Sequence, residues 1–200
     1  MKTERHFFTL SILFYAIPSV LLTFPLFLFR KRNFLLIEEL LKLFHFRFNW
    51  IPLLILTLSM CLIIFYDLFY FSKKERFAQN YEVIKKITGK NSLWYVNLSL
   101  SALSGYFEEL LFRGYLLIIL TVIIRFNYLI VIFILSIFFG LFHLSQGKAA
   151  FFLSTLVSML FFYTVKMSEN IIIPMVFHTA FNYIQLQWII PYQKKKFGYQ

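Results

Sequence analysis

Residues 127 to 145 read NYLIVIFILSIFFGLFHLS, without one Asp, Glu, Lys or Arg. A helix that crosses a bilayer needs roughly 20 predominantly apolar residues. Comparable stretches recur at about 7 to 29, 50 to 72, 93 to 124, 149 to 166 and 171 to 190. Six such stretches leave little chain for a water-soluble surface, and composition agrees: 60% of the residues are hydrophobic and 14% charged. A soluble domain typically has about 45 to 50% apolar and about 25% charged residues. The sequence therefore predicts an all-α, polytopic transmembrane helical bundle of about six spans. No linker or internal repeat divides it, so residues 1 to 200 form a single integral-membrane domain. The first stretch is too long for a signal-peptide core and reads as a retained span. The third is too long for one straight crossing, and a break is expected near Ser104 and Gly105.

Between the first two spans, Leu36, Leu40, Leu43 and Phe44 recur at helical spacing opposite Glu38, Glu39 and Lys42. Phe77, Tyr81, Ile84 and Ile87 do the same before Gly89. Both segments are expected to be amphipathic helices lying in the membrane interface. The formal charge of +11 comes from Lys and Arg gathered almost entirely between spans. Anionic headgroups and insertion topology account for that pattern, and no nucleic acid is needed as a partner. With six spans the basic residues favour both termini in the cytoplasm, although the RKRN at 30 to 33 then falls on the opposite side. The lone Cys61 reads as a small core residue.

Against this background the segment SGYFEELLFRGYLL, residues 104 to 117, requires a reason for its charges. A charge at the centre of a bilayer costs at least ~2.5 to 3.5 kcal/mol on insertion scales. Glu109 and Arg113, four apart, share a helix face and can neutralise each other. Glu108 lies five before Arg113, roughly 140° away around the helix, and has no helical counterion. Further on, Ser136, Phe139 and His143 share a face beside Gly140, and His178, Asn182 and Gln185 share another. By contrast Glu38 and Glu39 belong to the solvated face of an amphipathic segment.

Apolar bundles keep such groups where they meet one another or water. A desolvated carboxylate beside an imidazole can deprotonate a water and return the proton to a leaving group. A second His and an Asn amide can donate to an oxyanion. No activated nucleophile is evident, so water is the attacking group, with no metal or other cofactor required.

The runs EELLFRG, FGLFH and HTAFN resemble, in order, the three motifs of the CAAX protease and bacteriocin-processing family of intramembrane glutamic endopeptidases. The family pattern is Glu-Glu-x3-Arg, Phe-x3-His and His-x3-Asn, matched here by Glu108-Glu109-x3-Arg113, Phe139-x3-His143 and His178-x3-Asn182. The resemblance covers about residues 93 to 190, the expected catalytic core. It implies that Glu108 and His143 activate water and that His178 and Asn182 stabilise the oxyanion. Glu109 and Arg113 would hold the architecture, with Phe139 in support. The implied substrate is a membrane-associated peptide or protein. Small size and a composition rich in Phe, Ile and Lys point to a multi-pass protein of a bacterial plasma membrane. Three other readings stay open: a zinc-dependent intramembrane protease, although no HExxH helix is present; a catalytically inert self-immunity or scaffold protein of the same family; and a proton-coupled transporter.

Overall fold

The structure, a computed structural model, describes residues 34–45, 49–70, 77–78, 81 and 93–198. The expected first span at 7 to 29, the RKRN at 30 to 33 and most of the second interfacial segment, with Gly89, lie outside the described residues. Among the described residues every regular element is helical. These are α1 (Phe34–Lys42), α2 (Trp50–Tyr70), α3 (Trp94–Glu109), α4 (Tyr128–Phe142), α5 (Lys148–Ser168), α6 (Ile172–Ile184) and α7 (Ile190–Phe197). The π-helical segments Leu110–Leu116 and Ile119–Ile123 prolong α3, and another, Gln185–Ile189, joins α6 to α7. Trp50–Leu68 in α2 and Lys148–Ser168 in α5 are long and apolar enough to cross a membrane.

Large apolar side chains point outward along these helices, among them Leu58, Leu62, Phe133, Phe138 and Phe142. That distribution suits an apolar solvent. Cys61 is exposed as well, so the expectation of a core cysteine fails: it sits on the outward face of α2. Hydroxyls within the helices return to their own backbone, as Thr155 Oγ1 does to the Phe151 carbonyl at 2.8 Å and Thr164 Oγ1 to that of Leu160 at 2.9 Å. Such bonds satisfy polar side chains where water is scarce.

The helices pack mainly as two pairs, α3 along α6 and α4 along α5, with α2 against α5. The expected break at Ser104 and Gly105 does not occur, because α3 runs through both residues. Gly105 instead permits close contact with α6: a Cβ there would lie 2.5 Å from Thr179 Oγ1 and 2.9 Å from its backbone nitrogen. The regular α-helix ends only after Glu109, where wider i→i+5 bonding begins. Gly140 does the same for the other pair, where a Cβ would collide with Thr155 Oγ1 and fall 2.8 Å from the Phe151 carbonyl.

Loop chemistry sets the helix ends. Asn127 Oδ1 accepts from the Leu129 and Ile130 amides and opens α4. Gly147, at φ 112°, supplies the left-handed turn before α5. Fully buried Asn170 accepts from the Ile172 and Ile173 amides while donating to the His45 carbonyl at 2.7 Å. One side chain thereby starts α6 and ties it to the end of α1. The helix α1 is amphipathic as expected: Leu36 and Leu40 join a core with Leu110, Tyr115, Ile171 and Met175. On its outer side Lys42 pairs with Glu38 at 3.0 Å and Glu39 at 2.8 Å. Of the second amphipathic segment, Phe77 and Tyr81 are described, both buried and stacked on each other.

Gly140→Ala is expected to cost about 1 to 3 kcal/mol through overpacking, read as a lowered thermal midpoint in detergent. Adding Thr155→Ala should recover part of the loss only, since the Phe151 carbonyl remains, whereas outward-facing Leu141→Ala should stay within about 0.5 kcal/mol of the parent.

Candidate active site

The close approach at Gly105 brings the carboxylates of α3 against the polar face of α6. His178 stands between Glu108 and Glu109: its Nδ1 lies 2.9 Å from Glu109 Oε1 and its Nε2 lies 3.8 Å from Glu108 Oε2. On the buried side Arg113 Nη1 donates to the same Glu109 Oε1 at 3.2 Å. Arg113 Nη2 donates to Ser158 Oγ at 2.7 Å and to the Ser158 carbonyl at 3.1 Å. The guanidinium carbon lies 4.6 Å from the Phe162 ring centroid and 4.8 Å from that of Phe139, within cation–π range. Glu109 and Arg113 are fully excluded from solvent. They form the ion pair that their spacing suggests, and Glu109 also anchors His178.

On the open side Glu108 retains 23% side-chain exposure. Its Oε1 accepts from Ser104 Oγ at 2.5 Å, and Ser104 Oγ accepts in turn from Asn182 Nδ2 at 3.2 Å. A continuous polar chain thus runs Asn182, Ser104, Glu108, His178, Glu109, Arg113, Ser158. Glu108 does lack a helical counterion, yet it has a helical partner in Ser104, one turn earlier.

His143 follows the last residue of α4, with Nδ1 3.0 Å from the Phe139 carbonyl. A carbonyl can only accept, so that nitrogen carries the proton and Nε2 of the neutral ring keeps its lone pair. Phe139 stacks at 5.0 Å from the His143 ring and meets His178 edge-on at 6.0 Å. One side chain therefore contacts both histidines and Arg113.

Glu108, His143, His178 and Asn182 all line a single cavity of about 300 Å³, with Phe139 and Ser104 in its wall. The expected convergence is present; Glu109 and Arg113 lie behind it. Ser104 and Ser158 were not singled out from the sequence. Ser104 could have been, as the hydroxyl four residues before an uncompensated carboxylate; Ser158 carries no local signal, because its partner is on another helix. Asp67, the one acidic residue of the second apolar stretch, was also passed over and lines the same cavity. Among the described residues no group of three or more His, Cys, Asp or Glu is placed to hold a metal ion.

Residues 90–184 match the family model Rce1-like, described as type II CAAX prenyl endopeptidase Rce1-like. The interval contains all seven motif residues and nearly half of the chain. Over that interval the chain is similar to the CAAX-protease family, whose members are membrane proteins and peptidases. The similarity points to a CAAX-type intramembrane protease or a related family member. No curated protein and no solved structure matches it.

Removing one partner of a buried ion pair typically costs about 3 to 5 kcal/mol by stranding the other charge. Arg113→Ala should therefore lower both the yield of folded protein and its thermal midpoint. Arg113→Lys should not restore them, because a single ammonium cannot bond Glu109 and Ser158 and lie between two rings at once. Normal accumulation of Arg113→Ala would refute the structural role.

Proposed function

We propose that the protein is an intramembrane endopeptidase of glutamic type that hydrolyses a peptide bond in a membrane-associated peptide or protein. The observation that carries this reading is the meeting of Glu108, His143, His178 and Asn182 on one cavity within the bundle. Glu108 and the lone pair of His143 Nε2 take the proton of a water, which attacks the scissile carbonyl. As charge grows on the carbonyl oxygen, His178 and Asn182 stabilise it. An amide nitrogen carries two protons, so Asn182 has one to offer beyond its bond to Ser104. His178 is held through Nδ1, 2.9 Å from Glu109 Oε1, and donates to the oxyanion through Nε2. The proton held by Glu108 and His143 then passes to the leaving amine.

Glu109 and Arg113 act by positioning: Glu109 fixes the ring plane of His178, and Arg113 neutralises Glu109. The wider architecture in this reading is a single domain of about six spans in a bacterial plasma membrane, with residues 93 to 190 as the catalytic core.

Glu108→Gln keeps size and hydrogen bonding but cannot act as a base. It should fold normally while hydrolysis falls by a factor on the order of 10² to 10⁴. Glu38→Gln and Glu39→Gln, on the exposed face of α1, should change turnover little. The measurement is cleavage of a substrate, identified by comparing membrane peptides of cells carrying wild type or Glu108→Ala, by purified variants in liposomes. Near wild-type turnover by Glu108→Gln would end the water-activation role. Activity lost to a chelator and restored by zinc would transfer the site to a metalloprotease mechanism.

A further inference from the structure

The cavity has a second polar centre, on α2. Asp67 is 6% exposed and lies three residues before the end of that helix. Gln185 Nε2 donates to its Oδ2 in a short hydrogen bond, and Gln193 Nε2 donates to its backbone carbonyl at 3.2 Å. Both partners are neutral amides on the stretch that continues α6 into α7. Among the described residues no cation pairs with Asp67, and none of those that line the cavity is Lys or Arg. The rest of the wall is largely aliphatic and aromatic, including Leu56, Met60, Ile63 and Phe181.

A desolvated carboxylate held only by neutral amides favours a cation beside it, and a hydrogen bond to a charged group is about twice as strong as a neutral one. We propose that Asp67, held by Gln185 and Gln193, is a specificity subsite that receives the Lys or Arg side chain of an otherwise apolar peptide substrate. This rests on the peptidase reading of the cavity and adds the class of substrate. Position follows from α6: Gln185 lies three residues beyond Asn182 and seven beyond His178, or ~4.5 and ~10.5 Å along the axis at 1.5 Å per residue. An extended peptide rising ~3.3 Å per residue places the basic residue roughly one to three positions from the scissile bond. The nearby end of α2 and the run Lys194–Lys196 put the subsite near the membrane interface. A basic residue flanking an apolar segment reaches its charge to that depth.

The test uses purified full-length protein in detergent and acetylated, amidated apolar peptides. Each peptide carries one Lys or one norleucine, moved through successive positions, so that the side chain is the sole charge. Binding is read by fluorescence anisotropy on Glu108→Gln, and cleavage by mass spectrometry on wild type. At one or two positions the Lys peptide should bind at least about tenfold more tightly than its norleucine twin, the range expected of a charged hydrogen bond. Adding Asp67→Asn, or Asp67→Ser as a second variant, should abolish the difference, and Asp67→Glu should keep part of it. Equal affinities at every position, no measurable binding of the Lys series, or a preference that survives both neutral variants would overturn the subsite. Should neither neutral variant fold, the comparison of the two peptides decides alone. A Lys preference without cleavage of any peptide by wild type would refute the peptidase reading and leave the subsite standing; cleavage of both series with equal affinity would do the reverse.

Discussion

The burial of Arg113 governs the rest of the arrangement. A guanidinium with no exposed surface persists only where its charge is balanced and most of its donors are bonded. Glu109 on its own helix supplies the charge, Ser158 on α5 supplies two acceptors, and four aromatic rings surround the remainder. Because these partners lie on different elements, one cation fixes the relative placement of α3 and α5. His178 shares Glu109 Oε1 with Arg113, and so brings α6 into the same network.

Backbone approach makes the network possible. Side chains as short as Ser104 and Asn182 bridge two helices only if the helices nearly touch, and Gly105 removes the Cβ that would hold α3 and α6 apart. Gly140 serves α4 and α5 in the same way and sets where His143 leaves the end of α4. The change to π-helical bonding after Glu109 falls at the charged motif itself, with Arg113 and Gly114 inside it. Such segments are rare and recur at functional sites. Leu40 of α1 closes on Gly114 from the outside.

Two adjacent glutamates thus acquire different environments on one helix. Glu109 is sealed between Arg113 and His178, whereas Glu108 opens to the cavity beside a hydroxyl. Carboxylates in contrasting surroundings commonly divide roles in this way. His143 and His178 diverge similarly: one bonds a backbone carbonyl that fixes its tautomer, the other is held between two acids. The cavity has a carboxyl group at each end, Glu108 near the histidines and Asp67 near the amides of Gln185 and Gln193.

The motif match over residues 90–184 and the pairing of Glu109 with Arg113 lay within local spacing. Glu109 with Arg113 needs only the four-residue helical repeat, and the faces of Phe139 with His143 and of His178 with Asn182 need no more. The helical class followed from apolar run length, since a bilayer imposes helices on such runs. Gly105 was misread because a glycine in an overlong helix signals a break and a close contact equally, and the sequence does not say which neighbour is near. Cys61 was placed inward because an apolar run has no inside until its partners are known. Ser158 and Asp67 acquired significance only from residues 45 and 118 positions away, across helix pairs. The sequence by itself determined that the described segments are helical and which of their faces carry charge, because those follow from run length and periodicity along one chain. The tertiary structure alone decided that His178 separates the two glutamates and that Asp67 shares their cavity, because hydrogen bonds act over about 3 Å in space whatever the distance along the chain.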